Sequence, residues 1–222
     1  MFVGHFGVAL GAKKFAPRVS LGILFLACQL ADLIWPSLVM LGVESFEIDP
    51  GNTVLTPLKF THYPYSHSLL ALVVWSILLA GIYVLLRNGG KRAFSVIAIV
   101  VVSHWFLDFV VHRADMPITL NETNLAGLGL WNYPLLAIPV EMLLFGLGIW
   151  IYCRRTRAVD KFGTYGLWGL AIFLVTIYAA NIVGPPPPSV AAVTWSAQAL
   201  WLIVAWGFWI DRHRAPVIRD HH

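Results

Sequence analysis

Six apolar runs, each close to the length of one membrane crossing, constrain this chain more than anything else in it. They cover about 19–43, 65–86, 93–111, 131–153, 165–183 and 190–210. A helix needs about 20 apolar residues to cross the hydrocarbon of a bilayer, where every backbone polar group must find a partner inside the protein. With 59% hydrophobic and 12% charged residues, the composition excludes an ordinary soluble domain. The expected fold is all-α: a polytopic membrane helical bundle of about six transmembrane helices, forming one integral membrane domain over 1–222. Residues 1–12 are apolar but too short to span, and predict a short N-terminal re-entrant or interfacial helix. Asn88-Gly89-Gly90 marks a tight turn and Pro185 to Pro188 a stiff break.

The basic residues orient the bundle. Thirteen of the fifteen Lys and Arg, from Lys13, Lys14 and Arg18 to Arg212, Arg214 and Arg219, fall on one side of a six-span chain. Lys59 and Arg113 alone fall on the other. That asymmetry predicts cytoplasmic termini. The formal charge of +4 therefore follows topology, and no nucleic-acid partner is expected. The opposite loops carry Glu44, Glu47, Asp49, Asp115 and Glu122. Cys28 and Cys153 both lie in apolar runs, which suggests neither a disulfide framework nor a thiolate zinc site. No cleavable signal peptide is expected. His213, His221 and His222 lie in the tail and receive no role.

Against this apolar background a few ionisable residues stand out. His104 and Asp108 are four residues apart in the run 93–111, so a helix stacks them on one face. An aspartate at the centre of a spanning helix costs roughly 2.5–3.5 kcal/mol on insertion scales, and a cation or a buried partner must offset it. Asp32 sits near the middle of the first run, four residues before Pro36, which deprives the Asp32 carbonyl of its helical donor. His62 and His67 flank the start of the second run, and His5 lies in the N-terminal segment. Histidine and carboxylate donors suit zinc and can also hold manganese or iron. The candidate metal ligands are His5, Asp32, His67, His104 and Asp108, around one or two divalent ions, Zn2+ foremost. His62 and the mid-run Glu141 are the candidates for proton transfer, Glu141 alternatively orienting a ligand histidine. Lys59, His112, Arg113 and Asp115 are placed where they could meet a substrate headgroup. His5 is the hardest to place: eight residues up from Lys13 is roughly 12 Å of helix, which reaches mid-membrane but not the outer loops.

The same residues carry a resemblance. His5 in a short apolar segment, Asp32 late in the next, His62-x4-His67-Ser68 and Ser103-His104-x3-Asp108 are similar to the bacterial inner-membrane metal-dependent hydrolases. That group is related to the LexA-regulated membrane-bound hydrolase. The likeness covers about residues 1–117, a metal-site half, and leaves 118–222 unassigned. It implies a metal-dependent hydrolase of the bacterial inner membrane, loosely likened to zinc-dependent phospholipase C. Two departures stand out: the group's Pro-Asp-x-Asp is here Ala31-Asp32-Leu33-Ile34, and its His-Arg-Gly is His62-Tyr63-Pro64. A reduced ligand set favours a single ion.

The expectation is a membrane-embedded hydrolase acting on a lipid or lipid-linked ester or phosphoester through metal-activated water. The last three spans would form a wall, a lipid groove or an oligomer contact. A metal-ion or proton-coupled transporter is the alternative, weakened by the lack of an internal repeat. A scaffold is the third, in which these residues only glue helices.

Overall fold

The computed structural model describes residues 1–121 and 123–217; Glu122, Arg219, His221 and His222 lie outside the described residues. The chain runs α1 (Val3–Ala12), α2 (Leu21–Cys28), α3 (Leu30–Met40), β1 (Ser45–Ile48), β2 (Leu58–His62), α4 (Pro64–His67), α5 (Leu69–Arg87) and α6 (Gly90–Val111). It continues through β3 (Met116–Pro117), β4 (Leu125–Ala126), a single 3₁₀ turn (Leu130–Asn132), α7 (Pro134–Arg155), β5 (Thr156–Ala158), α8 (Lys161–Val183), α9 (Val190–Ala197), α10 (Leu200–Arg212) and β6 (Arg214–Pro216). The strands form three two-stranded antiparallel ribbons, β1–β2, β3–β4 and β5–β6, all at the ends of a helical bundle.

Five stretches are long and apolar enough to cross a membrane: α5, α6, α7, α8 and the pair α9–α10. The pair α2–α3 makes a sixth, bent by 54°. The bundle's exterior is apolar, with Leu135 90%, Val183 83% and Leu85 82% exposed. Side chains of that kind standing outward along helices of spanning length fit a hydrocarbon surround, not water. The protein is a multi-pass membrane bundle.

The first span differs from a single rod over 19–43. Its break falls at Gln29, which leaves helical geometry (φ −110°, ψ 12°), while Pro36 is accommodated inside α3. Ser20 caps α2 by accepting from the Ile23 amide at 3.2 Å.

The N-terminal segment is neither at the surface nor a full span. α1 is buried along most of its length and packs on α7, α2 and α6. Gly7 on α1 faces Gly148 on α7 so closely that a Cβ on Gly148 would stand 2.2 Å from the Gly7 carbonyl oxygen. Small residues let membrane helices approach to backbone contact in this way. At its other end α1 terminates below the surface: Lys13 is buried, donating to the Val19 carbonyl at 2.8 Å and pairing with Asp211 at 3.0 Å. With its C-terminal end held there, α1 carries His5 to within 3.0 Å of Asp108.

The basic loops gather at that same end. Arg92 donates to the Phe15 carbonyl, and β5 pairs with β6 so that Arg157 faces Ala215. The end is tied together by Asp211, which accepts from Lys13, the Tyr152 hydroxyl (3.1 Å) and the Leu21 amide. Removing one partner of a buried pair strands the other charge, at about 3–5 kcal/mol. Asp211→Ala is therefore expected to lower the unfolding midpoint in detergent sharply. A Lys13→Met/Asp211→Leu double variant should lose much less, read by the same melt.

Candidate metal centre

The five residues read as ligands come together from four separate pieces of chain. His5 is on the buried α1, Asp32 on α3 just past the bend, His67 at the end of α4, and His104 with Asp108 on α6. On α6 the four-residue spacing sets His104 Nε2 3.0 Å from Asp108 Oδ2. From α1, His5 Nε2 reaches Asp108 Oδ1 at 3.0 Å, and its ring stacks on that of His104 with centroids 4.0 Å apart. The Met1 amine also contacts Asp108. On the other side of His104, Asp32 Oδ1 stands 3.9 Å from its Nε2 and 3.3 Å from His67 Nε2. Side-chain exposure is 4% or less for His5, His67, His104 and Asp108 but 28% for Asp32. The cluster thus opens past Asp32.

Backbone geometry fixes which nitrogen each histidine presents. The Cys28 carbonyl, at the α2–α3 bend, accepts from His104 Nδ1 at 2.8 Å. A carbonyl only accepts, so Nδ1 carries a proton and Nε2 is the nitrogen left for a ligand. That Nε2 is buried and makes no hydrogen bond, although Asp108 is close. His67 is held in the same sense, with Nδ1 2.7 Å from Ser66 Oγ and Nε2 toward Asp32. His5 Nδ1 is buried with no hydrogen bond.

These are the features a cation site needs. Donors about 2.1 Å from a shared ion stand about 3.0–4.2 Å from one another, and the separations above fall in that range. Two triads have all their donor atoms within 4.8 Å of one another, His5–His104–Asp108 and Asp32–His67–His104. They share His104, which has only Nε2 to give. One lone pair serves one ion, so the two triads cannot both be filled as independent sites. Among the described residues no set larger than three has all its donors within 4.8 Å of one another, so one cation would take either triad, with His104 in both.

The remaining candidates lie outside the cluster. Glu141 is buried on α7 and accepts the Phe2 and Gly4 amides at 2.7 and 3.3 Å. It caps α1, which has no side-chain cap of its own, and so acts on His5 through the helix that carries it. His62 sits on β2, its ring against Tyr65. Lys59 pairs with Glu47 at 3.1 Å, an exposed cross-strand pair on the β1–β2 ribbon. His112 and Arg113 both pair with Asp115, at 3.0 and 3.2 Å, and the buried His112 ring also meets Trp131. Arg113 is thus already neutralised where it stands. Two groups that hold the histidines carry no motif: the Cys28 carbonyl, which is backbone, and Glu44, which sits in a polar loop.

No protein-family model, curated protein or solved structure matches this chain.

Proposed function

We propose that this protein is a membrane-embedded, metal-dependent hydrolase that holds a single divalent cation, zinc foremost, within the cluster of His5, Asp32, His67, His104 and Asp108, His104 being common to both triads that can take it. The observation that carries the proposal is the convergence of those five donors, with the Nε2 atoms of His67 and His104 turned inward and their Nδ1 atoms engaged elsewhere. A structural polar knot needs no such surplus. Two carboxylates removed from water repay that cost best when a cation lies between them.

A bound cation of this class supplies Lewis acidity and lowers the pKa of water to near 7. The chain's own residues supply the rest. His5, His104 and Asp108 form a dry floor, and Asp32 is the most exposed member of the cluster. Glu141 seats α1 so that His5 completes the set. A lipid or lipid-linked ester or phosphoester fits a site sunk in a bundle with an apolar exterior. The basic end is assigned to the cytoplasm of a bacterial inner membrane.

Detergent-purified protein is expected to retain about one zinc per chain by elemental analysis. It should release a water-soluble product from a total lipid extract, and lose both properties on chelation. Protein without bound metal after zinc loading overturns the proposal. Zinc retention with ion uptake into proteoliposomes and no product from lipid would favour a transporter.

A further inference from the structure

The residue pair Glu44–Ser66 lies one step behind the cluster, and its hydrogen bonds run in one direction only. Glu44 Oε2 accepts from the Ser66 hydroxyl at 2.6 Å. The Tyr63 carbonyl is the weaker acceptor at 3.5 Å, so with its proton given to the carboxylate Ser66 Oγ accepts from His67 Nδ1, 2.7 Å away. Glu44 Oε1 accepts the Tyr65 and Ser66 amides, both at 2.8 Å. Glu44 and Ser66 are 2% and 0% exposed.

Local folding explains how a loop glutamate arrives there. Gly42, at φ +70°, ends α3 with the Val43 and Glu44 amides returning to the Leu38 carbonyl at 2.9 and 3.2 Å. β1 and β2 then pair with Ser45 opposite His62. The residue before β1 is thereby set beside the residues that follow β2, where α4 begins without a side-chain cap.

We infer that Glu44 is a positioning residue: through Ser66 it keeps a proton on His67 Nδ1, so that Nε2 is the nitrogen that faces Asp32 and the cation site. This rests on the proposed metal centre for its purpose, but the tautomer it sets belongs to the metal-free protein. The two functions of Glu44 can be separated chemically. Glutamine at 44 keeps one oxygen for the Tyr65 and Ser66 amides and so keeps the start of α4. Its NH₂ faces Ser66 as a donor, and the serine hydroxyl loses the acceptor that fixed its direction.

The test is the imidazole ¹⁵N spectrum of His67 in metal-free protein, paired with zinc titration. In the native chain His67 Nδ1 is expected to carry a proton, whether or not Asp32 draws a second one to Nε2. Glu44→Gln should give a mixture with the Nε2–H form and weaken zinc binding about 10–100-fold, the range seen when an outer partner of a ligand histidine is lost. Its melting midpoint should match the native protein's. Ser66→Ala should shift the tautomer likewise, and adding Glu44→Gln to it should change little further. An unchanged His67 tautomer in Glu44→Gln overturns the inference. A shifted tautomer in a protein that binds no zinc in any form leaves the inference standing and sinks the metal centre instead.

Discussion

Asp108→Asn is expected to abolish zinc retention and, with it, metal-dependent turnover. Asp108 meets His5 through one oxygen and His104 through the other, bridging the two imidazoles that stack across the α1–α6 contact. Asparagine keeps the shape but removes the negative charge and sets an N–H donor against one of the two imidazoles. Loss of a partner that merely orients a ligand costs about 10–100-fold in affinity. Loss of a direct carboxylate donor should exceed that range, leaving no zinc after gel filtration. The fold should persist, since the lost hydrogen bonds are worth about 1–3 kcal/mol. Native-like zinc content in this variant would remove Asp108 from the donor set.

Gly148→Val should damage the site from the far face of α1. A Cβ at 148 would stand 2.2 Å from the Gly7 carbonyl oxygen and 2.6 Å from its Cα, where only backbone movement can make room. Overpacking of this kind costs about 1–3 kcal/mol even where side chains can yield. Here the yielding part is the whole of α1, which carries His5. A lowered melting midpoint is expected together with faster amide exchange along Val3–Ala12 and weaker zinc binding. Full retention of all three would mean that α1 does not depend on backbone contact with α7. No side chain at 148 touches the cluster, so weakened binding would report the seating of the helix.

The bundle was largely legible in the sequence because membrane crossing leaves a coarse signature: apolar runs of fixed length, with basic loops between them. The site was legible where its residues are costly. His104 and Asp108 announce themselves by standing in a spanning run at helical spacing, and Asp32 by standing in another. What the sequence hid depends on long-range geometry. His5 looked too low to meet Asp108 because the rise was counted from Lys13 as a surface residue, whereas Lys13 is buried in the protein against Asp211. The first span read as one run over 19–43, yet it turns at Gln29, a residue with no breaker signal, while α3 tolerates Pro36. Glu44 reads as one more acidic loop residue until the β1–β2 register sets it beside Ser66. Glu141 stood out as an intramembrane acid, but the amides it caps belong to a helix far away in the chain.

The bend at Gln29 divides the donor set between two rigid pieces. His104 is tethered to the lower piece through the Cys28 carbonyl, whereas Asp32 travels with the upper one. The 3.9 Å between them is therefore a distance across a joint. A change in that angle would carry Asp32 and His67 together, since α4 packs on α3 and Glu44 ties the two, away from the His5–His104–Asp108 triad.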